Sequence, residues 1–138
     1  MTSQVAFVGD VHGCLPALRG ILRAIDERDV SHTVFLGDYI NKGSDSYEVL
    51  AEVLPLAASG AATLLTGNHE QAMVSALDGR GLAPFLKMGG AAAIRSYVGG
   101  NVGPDVLTEF RASVPLSHVE ALRSMPETFE AEDVIAAH

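Results

Sequence analysis

The sequence has a single cysteine, Cys14, and no long apolar run. One cysteine excludes an internal disulfide and is typical of a reducing compartment, so we expect a cytoplasmic protein. No apolar stretch reaches the ~18 residues that a membrane-spanning helix needs. Because no basic segment followed by an apolar stretch opens the chain, we also expect no signal peptide.

Basic residues are scarce as well. The chain has 9 Lys and Arg against 17 Asp and Glu, which gives a formal net charge of −8. This balance argues against a general nucleic-acid binder and against binding to acidic membranes. It leaves a phosphorylated substrate open, because bound metal ions can reverse the field locally.

The length of 138 residues and the apolar content of 48% suit a single folded domain that spans residues 1–138. No internal repeat, linker or low-complexity run divides it. The chain stops at His138, directly after an apparent strand. A native domain rarely ends on a buried central strand, because the neighbours of that strand would be missing. We therefore expect the domain to be incomplete at its C-terminus.

Three apolar runs each end in a glycine-flanked turn that carries metal-binding residue types. The turns are Gly9-Asp10-Val11-His12-Gly13, Gly37-Asp38-Tyr39-Ile40-Asn41-Lys42-Gly43 and Gly67-Asn68-His69-Glu70. In an open α/β sheet such turns gather at the carboxyl ends of the strands, where ligands bind. We therefore expect the following residues to converge although they lie far apart in the chain: Asp10, His12, Asp38, Asn68 and His69.

The pattern up to the third turn predicts a β-α-β-α-β unit with parallel strands and right-handed crossovers. Strands are expected at Gln4–Val8, 32–36 and 61–65. The first helix is expected from Leu15 to near Arg28, with Pro16 in its first turn. The second is expected to be N-capped by Ser46 and to end or bend at Pro55.

The second half of the chain has a less regular helical pattern. Helices are expected at 71–77, 82–88 and 91–98, the last two separated by Gly89-Gly90, with a loop at 99–104. Ser117-His118-Val119-Glu120 is typical of a capping box that opens another helix. Two strands are expected at 128–130 and 134–137, around an acidic turn.

The residue types of the turns suit metal-dependent phosphoryl chemistry. Asp10 and His12 offer a carboxylate and an imidazole on one turn, a mixed set that suits manganese, iron or zinc. The carboxylate of Asp38 has two oxygens and can bridge two ions, and two ions ~3.5–4 Å apart can activate a water and clamp an in-line phosphoryl displacement. His69 is placed to protonate the leaving oxygen, and Lys42 to hold phosphate oxygens as a point charge.

In this order and spacing, the three motifs resemble those of the phosphoprotein phosphatase family of calcineurin-like metallophosphoesterases. The resemblance extends over essentially the whole chain, including 86–97 and 114–138, and is greatest to the bacterial branch. That branch contains serine/threonine phosphatases and symmetrical diadenosine tetraphosphatases. The resemblance implies an α/β fold in which a two-sheet β-sandwich is flanked by helices.

The resemblance also implies roles for individual residues. Asp10 and His12 would bind a first metal ion, Asp38 would bridge, and Asn68 and His138 would bind a second ion. His69 would be the acid for the leaving group. Lys42 and Asn68 would contact phosphate. The second half of the family domain supplies another metal-binding His and often a phosphate-binding Arg, and this sequence ends before either.

Three positions in two motifs depart from the family pattern. The second motif usually ends Asp-Arg-Gly, whereas this chain has Asn41-Lys42-Gly43. Asn41 can orient the catalytic His69 through a hydrogen bond, but it lends no charge to stabilise an imidazolium. Lys42 keeps a positive charge and loses the bidentate fork of Arg. Thr66 stands where an Arg often precedes Gly-Asn-His-Glu, so the grip on phosphate is expected to differ.

These observations predict a two-metal phosphoesterase, with manganese as the preferred ion. The first hypothesis is a serine/threonine protein phosphatase that hydrolyses phosphomonoesters by attack of a metal-bridging hydroxide. An alternative is hydrolysis of diadenosine tetraphosphate, which uses the same metal core. A third is a catalytically incompetent metal-binding fragment that forms homo-oligomers through its unfinished sheet edge.

Overall fold

The computed structural model describes residues 4–138, which form an α/β arrangement. The elements in chain order are β1 Gln4–Val8, α1 Leu15–Asp26, β2 Val30–Phe35, α2 Ser46–Ala58, β3 Ala62–Leu64, α3 Asn68–Leu77, α4 Leu82–Phe85, a π-helical turn Leu86–Gly90, α5 Ala91–Val98, α6 Val106–Ser113, α7 Leu116–Ser124, β4 Thr128–Ala131 and β5 Val134–Ala137. The backbone leaves helical geometry at Met88 and Gly89, where Gly89 has φ 83°, so the expected break before α5 is confirmed.

The first three strands form a parallel sheet in the order β1-β2-β3. This confirms the β-α-β-α-β unit. The strands β4 and β5 form a separate antiparallel hairpin, and β4 packs on the parallel sheet through Phe129. Its ring lies 6.2 Å from Phe7 on β1 and 5.9 Å from His32 on β2. The two-sheet arrangement flanked by helices is therefore present in these residues.

The core lies between the parallel sheet and the helices. Side chains of a strand alternate between its two faces, and Phe35 and Leu64 share the helix-facing side of the sheet. They join apolar residues of α1 and α2, including Leu18 and Val53, in one buried cluster. This packing fixes the carboxyl ends of all three strands relative to one another, which positions the turns that follow them.

Several expected boundaries were wrong. Asp45, and not Ser46, precedes α2, because the Ser46 hydroxyl is engaged in accepting the N–H of Asn41 at 3.0 Å. Pro55 lies inside α2, which continues to Ala58 because the residues beyond it still pack on the core. The helix α3 begins at Asn68, so the third motif is its first turn.

Two differences concern the later helices. The expected capping box at Ser117 is wrong, since α7 already begins at Leu116 and Pro115 stands at its N-cap. The helix α6 was missed, although Asp105 caps it by accepting the N–H of Thr108 at 3.3 Å. None of the helices within residues 4–138 is both long and apolar enough to cross a membrane.

Candidate metal centre and catalytic site

The turns that follow β1 and β2 are joined by backbone hydrogen bonds. The N–H groups of Val11 and His12 both donate to Asp38 O at 3.0 Å, and Gly13 N–H donates to Tyr39 O at 2.7 Å. In return, Gly43 N–H donates to His12 O at 3.0 Å. Because each turn satisfies the polar backbone of the other, Asp10 and His12 are held beside Asp38.

Glycine is required where the turns approach most closely. Gly37 has φ 103°, and a Cβ built on it would lie 2.7 Å from Gly67 N on the third turn. No side chain fits at that distance. The glycines that flank the motifs therefore allow the second and third turns to come into direct backbone contact.

Four non-glycine residues with positive φ are found within residues 4–138, and all four lie in the first two turns. They are His12 (φ 46°), Asp38 (60°), Asn41 (73°) and Lys42 (69°). Left-handed backbone is costly for residues with a Cβ and persists where the surrounding structure enforces it. Clusters of such residues are typical of functional sites.

Glu70 links the second and third turns. Its carboxylate is fully buried and accepts three backbone N–H groups, from Asp38 at 2.7 Å, Tyr39 at 2.9 Å and Gly67 at 3.0 Å. Burial raises the pKa of Glu70, and the three donors oppose that effect. Glu70 therefore fixes the bridging position Asp38 against the start of α3. Sequence reasoning assigned it no role. A Glu at the third residue of a helix is the signature of the bond to Gly67 N–H, whereas the bonds from Asp38 and Tyr39 have no local sequence signal.

The predicted metal ligands converge. His12 Nε2 lies 3.3 Å from an Asp10 carboxylate oxygen and 3.9 Å from one of Asp38, and His138 Nε2 lies 3.1 Å from the same Asp38 oxygen. The donor atoms of Asp10, Asp38 and His138 all lie within 4.8 Å of one another. Ligand atoms ~2.0–2.2 Å from one cation are separated by about 3 Å, so these separations fit shared coordination.

Backbone carbonyls orient both imidazoles. His12 Nδ1 lies 3.0 Å from Ile40 O, and His138 Nδ1 lies 2.9 Å from Leu36 O. Since a carbonyl only accepts, each Nδ1 carries the proton, and each Nε2 lone pair is directed toward Asp38. This is the arrangement found around histidine ligands of metals.

The Asn68 amide lies among the same acceptors. It is 3.0 Å from His138 Nε2 and 3.2 Å from both carboxylate oxygens of Asp38. In the orientation that turns its NH₂ group toward these acceptors the amide donates to them, and in the opposite orientation it presents its oxygen, which a cation would attract. The donor set of two carboxylates, two imidazoles and one amide oxygen therefore fits divalent transition-metal ions.

His69 forms a second group with His12 and Asp38, with donor atoms within 4.8 Å. Its ring is buried, and Asn41 Nδ2 lies 2.9 Å from its Nδ1. Asn41 Oδ1 has no partner among residues 4–138. Burial lowers the pKa of His69, with the charge of Asp38 opposing. The expected contact between Asn41 and His69 is thus present in the structure.

Lys42 belongs to the second turn, whereas His118 and His32 lie outside the three turns. Lys42 is exposed, and its charge helps to lower the pKa of His69. His118 Nδ1 and the Tyr97 hydroxyl share a hydrogen bond of 2.8 Å, and His32 bonds Thr63 at 2.8 Å. These two histidines therefore have packing roles away from the turns.

A protein-family model matches most of the chain, and individual curated proteins match part of it. The model of the family described as calcineurin-like phosphoesterase matches residues 3–134. A symmetrical bis(5'-nucleosyl)-tetraphosphatase of Pectobacterium atrosepticum is 39% identical over 64 residues, which are 46% of this chain and 22% of the relative. The catalytic subunit of serine/threonine-protein phosphatase 6 of Drosophila melanogaster is 30% identical over 93 residues, which are 66% of this chain and 31% of the relative.

Solved structures share the fold. A crystal structure assigned provisionally to a diadenosine tetraphosphatase superposes with a TM-score of 0.67 at 26% identity, over 100% of this chain and 50% of the other. A metallophosphoesterase from Sphaerobacter thermophilus gives a TM-score of 0.61 at 22% identity, over 95% and 44% of the two chains. The present chain thus spans about half the length of these structures, and less of the curated relatives.

Proposed function

The chain belongs to the calcineurin-like phosphoesterase family, and we propose that it is a phosphoesterase dependent on two divalent metal ions. Its proposed reaction is hydrolysis of phosphomonoesters of serine and threonine in proteins. One observation carries the proposal. Two histidines, both oriented by backbone carbonyls, present Nε2 to the same carboxylate oxygen of Asp38, at 3.9 Å and 3.1 Å.

In this proposal Asp10 and His12 would hold the first ion and Asn68 and His138 the second, with Asp38 as a ligand that both would share. Such ions, when bound, act as Lewis acids that activate water and neutralise phosphate charge. The buried contact of Glu70 with the Asp38 turn keeps the bridging carboxylate in place. Manganese is the proposed ion, since a set of carboxylate, imidazole and amide oxygen ligands suits it.

His69 is the proposed general acid, with Asn41 as its positioning residue. When the Asn41 amide donates to Nδ1, the neutral ring carries its proton on Nε2. The acid is the charged ring, which gives its Nε2 proton to a leaving oxygen and returns to the neutral form with its proton on Nδ1. If the amide rotates, its unpartnered oxygen can accept from Nδ1–H of the charged ring. One amide thus serves both protonation states. Lys42 and Asn68 are proposed to contact phosphate oxygens.

Hydrolysis of diadenosine tetraphosphate is the alternative reaction. It is favoured by the names of the Pectobacterium relative and of the structural neighbour at 26% identity. The proposed ligands do not distinguish the two reactions, because hydrolysis of a phosphomonoester and of a phosphoanhydride both transfer a phosphoryl group to water at the same kind of metal pair. Relative turnover of a phosphopeptide and diadenosine tetraphosphate decides between them.

We further propose that residues 1–138 act as one domain in a bacterial cytoplasm, and that copies associate through free sheet edges. The strands β1 and β5 are edge strands with exposed apolar side chains, including Phe7 at 42% and Ile135 at 76% exposure. Such edges favour association. Concentration-dependent mass in light scattering, reduced by Ile135→Lys, is the expected result, and a monomer at all concentrations would contradict it.

The catalytic proposal is tested with the purified 138-residue chain, Mn²⁺ and an aryl phosphate. We expect Asp38→Asn and His69→Ala each to lose at least ~100-fold in kcat/KM. Asp133→Asn, which removes an exposed carboxylate from the β4–β5 turn, is the matched control and should stay within about twofold. Mn²⁺ binding without turnover of the aryl phosphate, a phosphopeptide or diadenosine tetraphosphate would instead support a metal-binding fragment.

A further inference from the structure

The second turn of the site contacts the π-helical turn Leu86–Gly90, which lies far from it in the chain. Lys42 N–H donates to Gly89 O at 3.3 Å. A Cβ built on Gly89 would lie 3.2 Å from both the backbone N and the side-chain Cγ of Lys42. The bare backbone of Gly89 therefore packs directly against Lys42.

The backbone around Lys42 is held by three different elements. Asn41 N–H donates to the Ser46 hydroxyl of α2 at 3.0 Å. Lys42 N–H donates to the π-helical turn, and Gly43 N–H donates to His12 O of the first turn at 3.0 Å. Asn41 and Lys42 both have positive φ, which is costly for residues with a Cβ. Because such a conformation persists only where the surroundings enforce it, each of these contacts helps to define where Lys42 lies.

The π-helical turn is itself fixed to the core. Gly90 is buried, and a Cβ built on it would lie 2.6 Å from the ring of Phe85. Phe85 is fully buried and stacks on Phe110 of α6, with ring centroids 5.9 Å apart. Gly89 has φ 83°, which lets the backbone leave the helix and reach the second turn. The core thus presents Gly89 O to Lys42 as a fixed acceptor.

The charge of Lys42 is available to an anionic ligand. Its side chain is exposed, and none of the ion pairs among residues 4–138 includes it. The ammonium group is carried on a flexible four-carbon stem. The region that it can reach therefore depends on where the backbone and the first part of the stem are held.

We propose that Gly89 is a positioning residue for Lys42, and that the π-helical turn thereby sets the affinity of the site for the phosphate group of the substrate. This inference rests on the proposed phosphoesterase function, in which Lys42 contacts phosphate oxygens. Gly89 acts through its carbonyl, which accepts Lys42 N–H, and through its lack of a Cβ, which leaves room for the stem. Asn41 keeps its own bond to Ser46, so a change at Gly89 should weaken phosphate binding more than the chemical step.

The test compares Gly89→Ala with Gly60→Ala. Gly60 has the same φ of 83°, and a Cβ built on it meets nothing within 4 Å. The control therefore carries the same backbone strain without a contact to Lys42. We expect Gly89→Ala to raise the KM for an aryl phosphate and the Kd for inorganic phosphate about three- to fivefold, with kcat retained within about twofold. Gly60→Ala should leave all three within about twofold of wild type.

Calorimetric titration of inorganic phosphate into the Mn²⁺-loaded chain gives the Kd whether or not the chain turns over a substrate. A measurement on the wild-type chain covers the case in which Gly89→Ala does not fold. Coupling between two events is reciprocal, so bound phosphate should stabilise the Lys42–Gly89 bond. We expect saturating phosphate to slow amide hydrogen exchange at Lys42 at least about threefold, and to leave exchange around Gly60 unchanged. An unchanged rate at Lys42 would overturn the inference.

A double-mutant cycle separates positioning from a general structural effect. If Gly89 acts through Lys42, Gly89→Ala should change the phosphate Kd little in a chain that already carries Lys42→Ala. Lys42→Ala alone should weaken phosphate binding about tenfold. An unchanged Kd in Lys42→Ala would overturn both the proposed phosphate contact of Lys42 and this inference. A weakened Kd in Lys42→Ala with a wild-type Kd in Gly89→Ala would overturn this inference alone, as would two effects that multiply.

Discussion

Replacing Glu70 by Ala tests how the second and third turns are held together. The carboxylate is the shared acceptor of three backbone N–H groups, those of Asp38, Tyr39 and Gly67. Asp38 is only 4% exposed and Tyr39 is fully buried. Water therefore cannot readily replace the lost acceptor, and all three donors are left without a partner.

The structure sets the size of the effect. A buried donor without an acceptor costs about 1–3 kcal/mol, so three cost about 3–9 kcal/mol. The raised pKa of Glu70 indicates that burial disfavours its charged form. Because the Ala variant does not bury a carboxylate, it avoids this cost, and part of the lost stability is offset. We expect Glu70→Ala to lower the free energy of unfolding by about 3–5 kcal/mol, which is a large share of the ~5–15 kcal/mol of a typical domain.

Urea unfolding followed by circular dichroism, together with Mn²⁺ titration, measures both consequences. Release of the Asp38 turn should weaken Mn²⁺ binding by about 10–100-fold. Glu70→Gln keeps one acceptor oxygen and should lie between wild type and Ala, which keeps the comparison usable if the Ala variant does not fold. Glu120→Ala, at an exposed position of α7, is the control. A loss below about 1 kcal/mol for Glu70→Ala with unchanged Mn²⁺ affinity would refute the reasoning.

Three further predictions concern the site and the core. Asn41→Asp should raise the pKa of His69, because a carboxylate would replace the neutral amide 2.9 Å from Nδ1; an unchanged NMR titration and pH–rate profile would contradict this. Gly67→Ala should weaken Mn²⁺ binding by at least ~10-fold in a metal titration, since its Cβ would lie 2.8 Å from Glu70 Oε1. Burial lowers the pKa of His118 below the ordinary 6.5, so the unfolded state binds more protons and stability falls as the pH drops below about 6.5. His118→Gln should flatten this acid slope in urea unfolding, and an unaltered slope would assign it to other groups.

The sequence predicted the elements whose signals are local. The runs before Asp10, Asp38 and Asn68 form parallel strands as expected, because β-branched and apolar residues bounded by glycine turns favour strands. The hairpin around the acidic turn is also present. Helix starts were less well predicted. Ser46 has the residue type of an N-cap, but its hydroxyl accepts the backbone N–H of Asn41. No sequence pattern of a helix start contains this contact.

The order of residues dictates which chemical groups stand after each strand, and parallel topology then requires Asp10, His12, Asp38 and Asn68 to meet at one edge. How these groups are presented depends on contacts between distant parts of the chain. Carbonyls of Ile40 and Leu36 direct the imidazoles, and Glu70 joins two turns. Such contacts join residues distant in the chain, so their geometry depends on packing and has no local sequence signal.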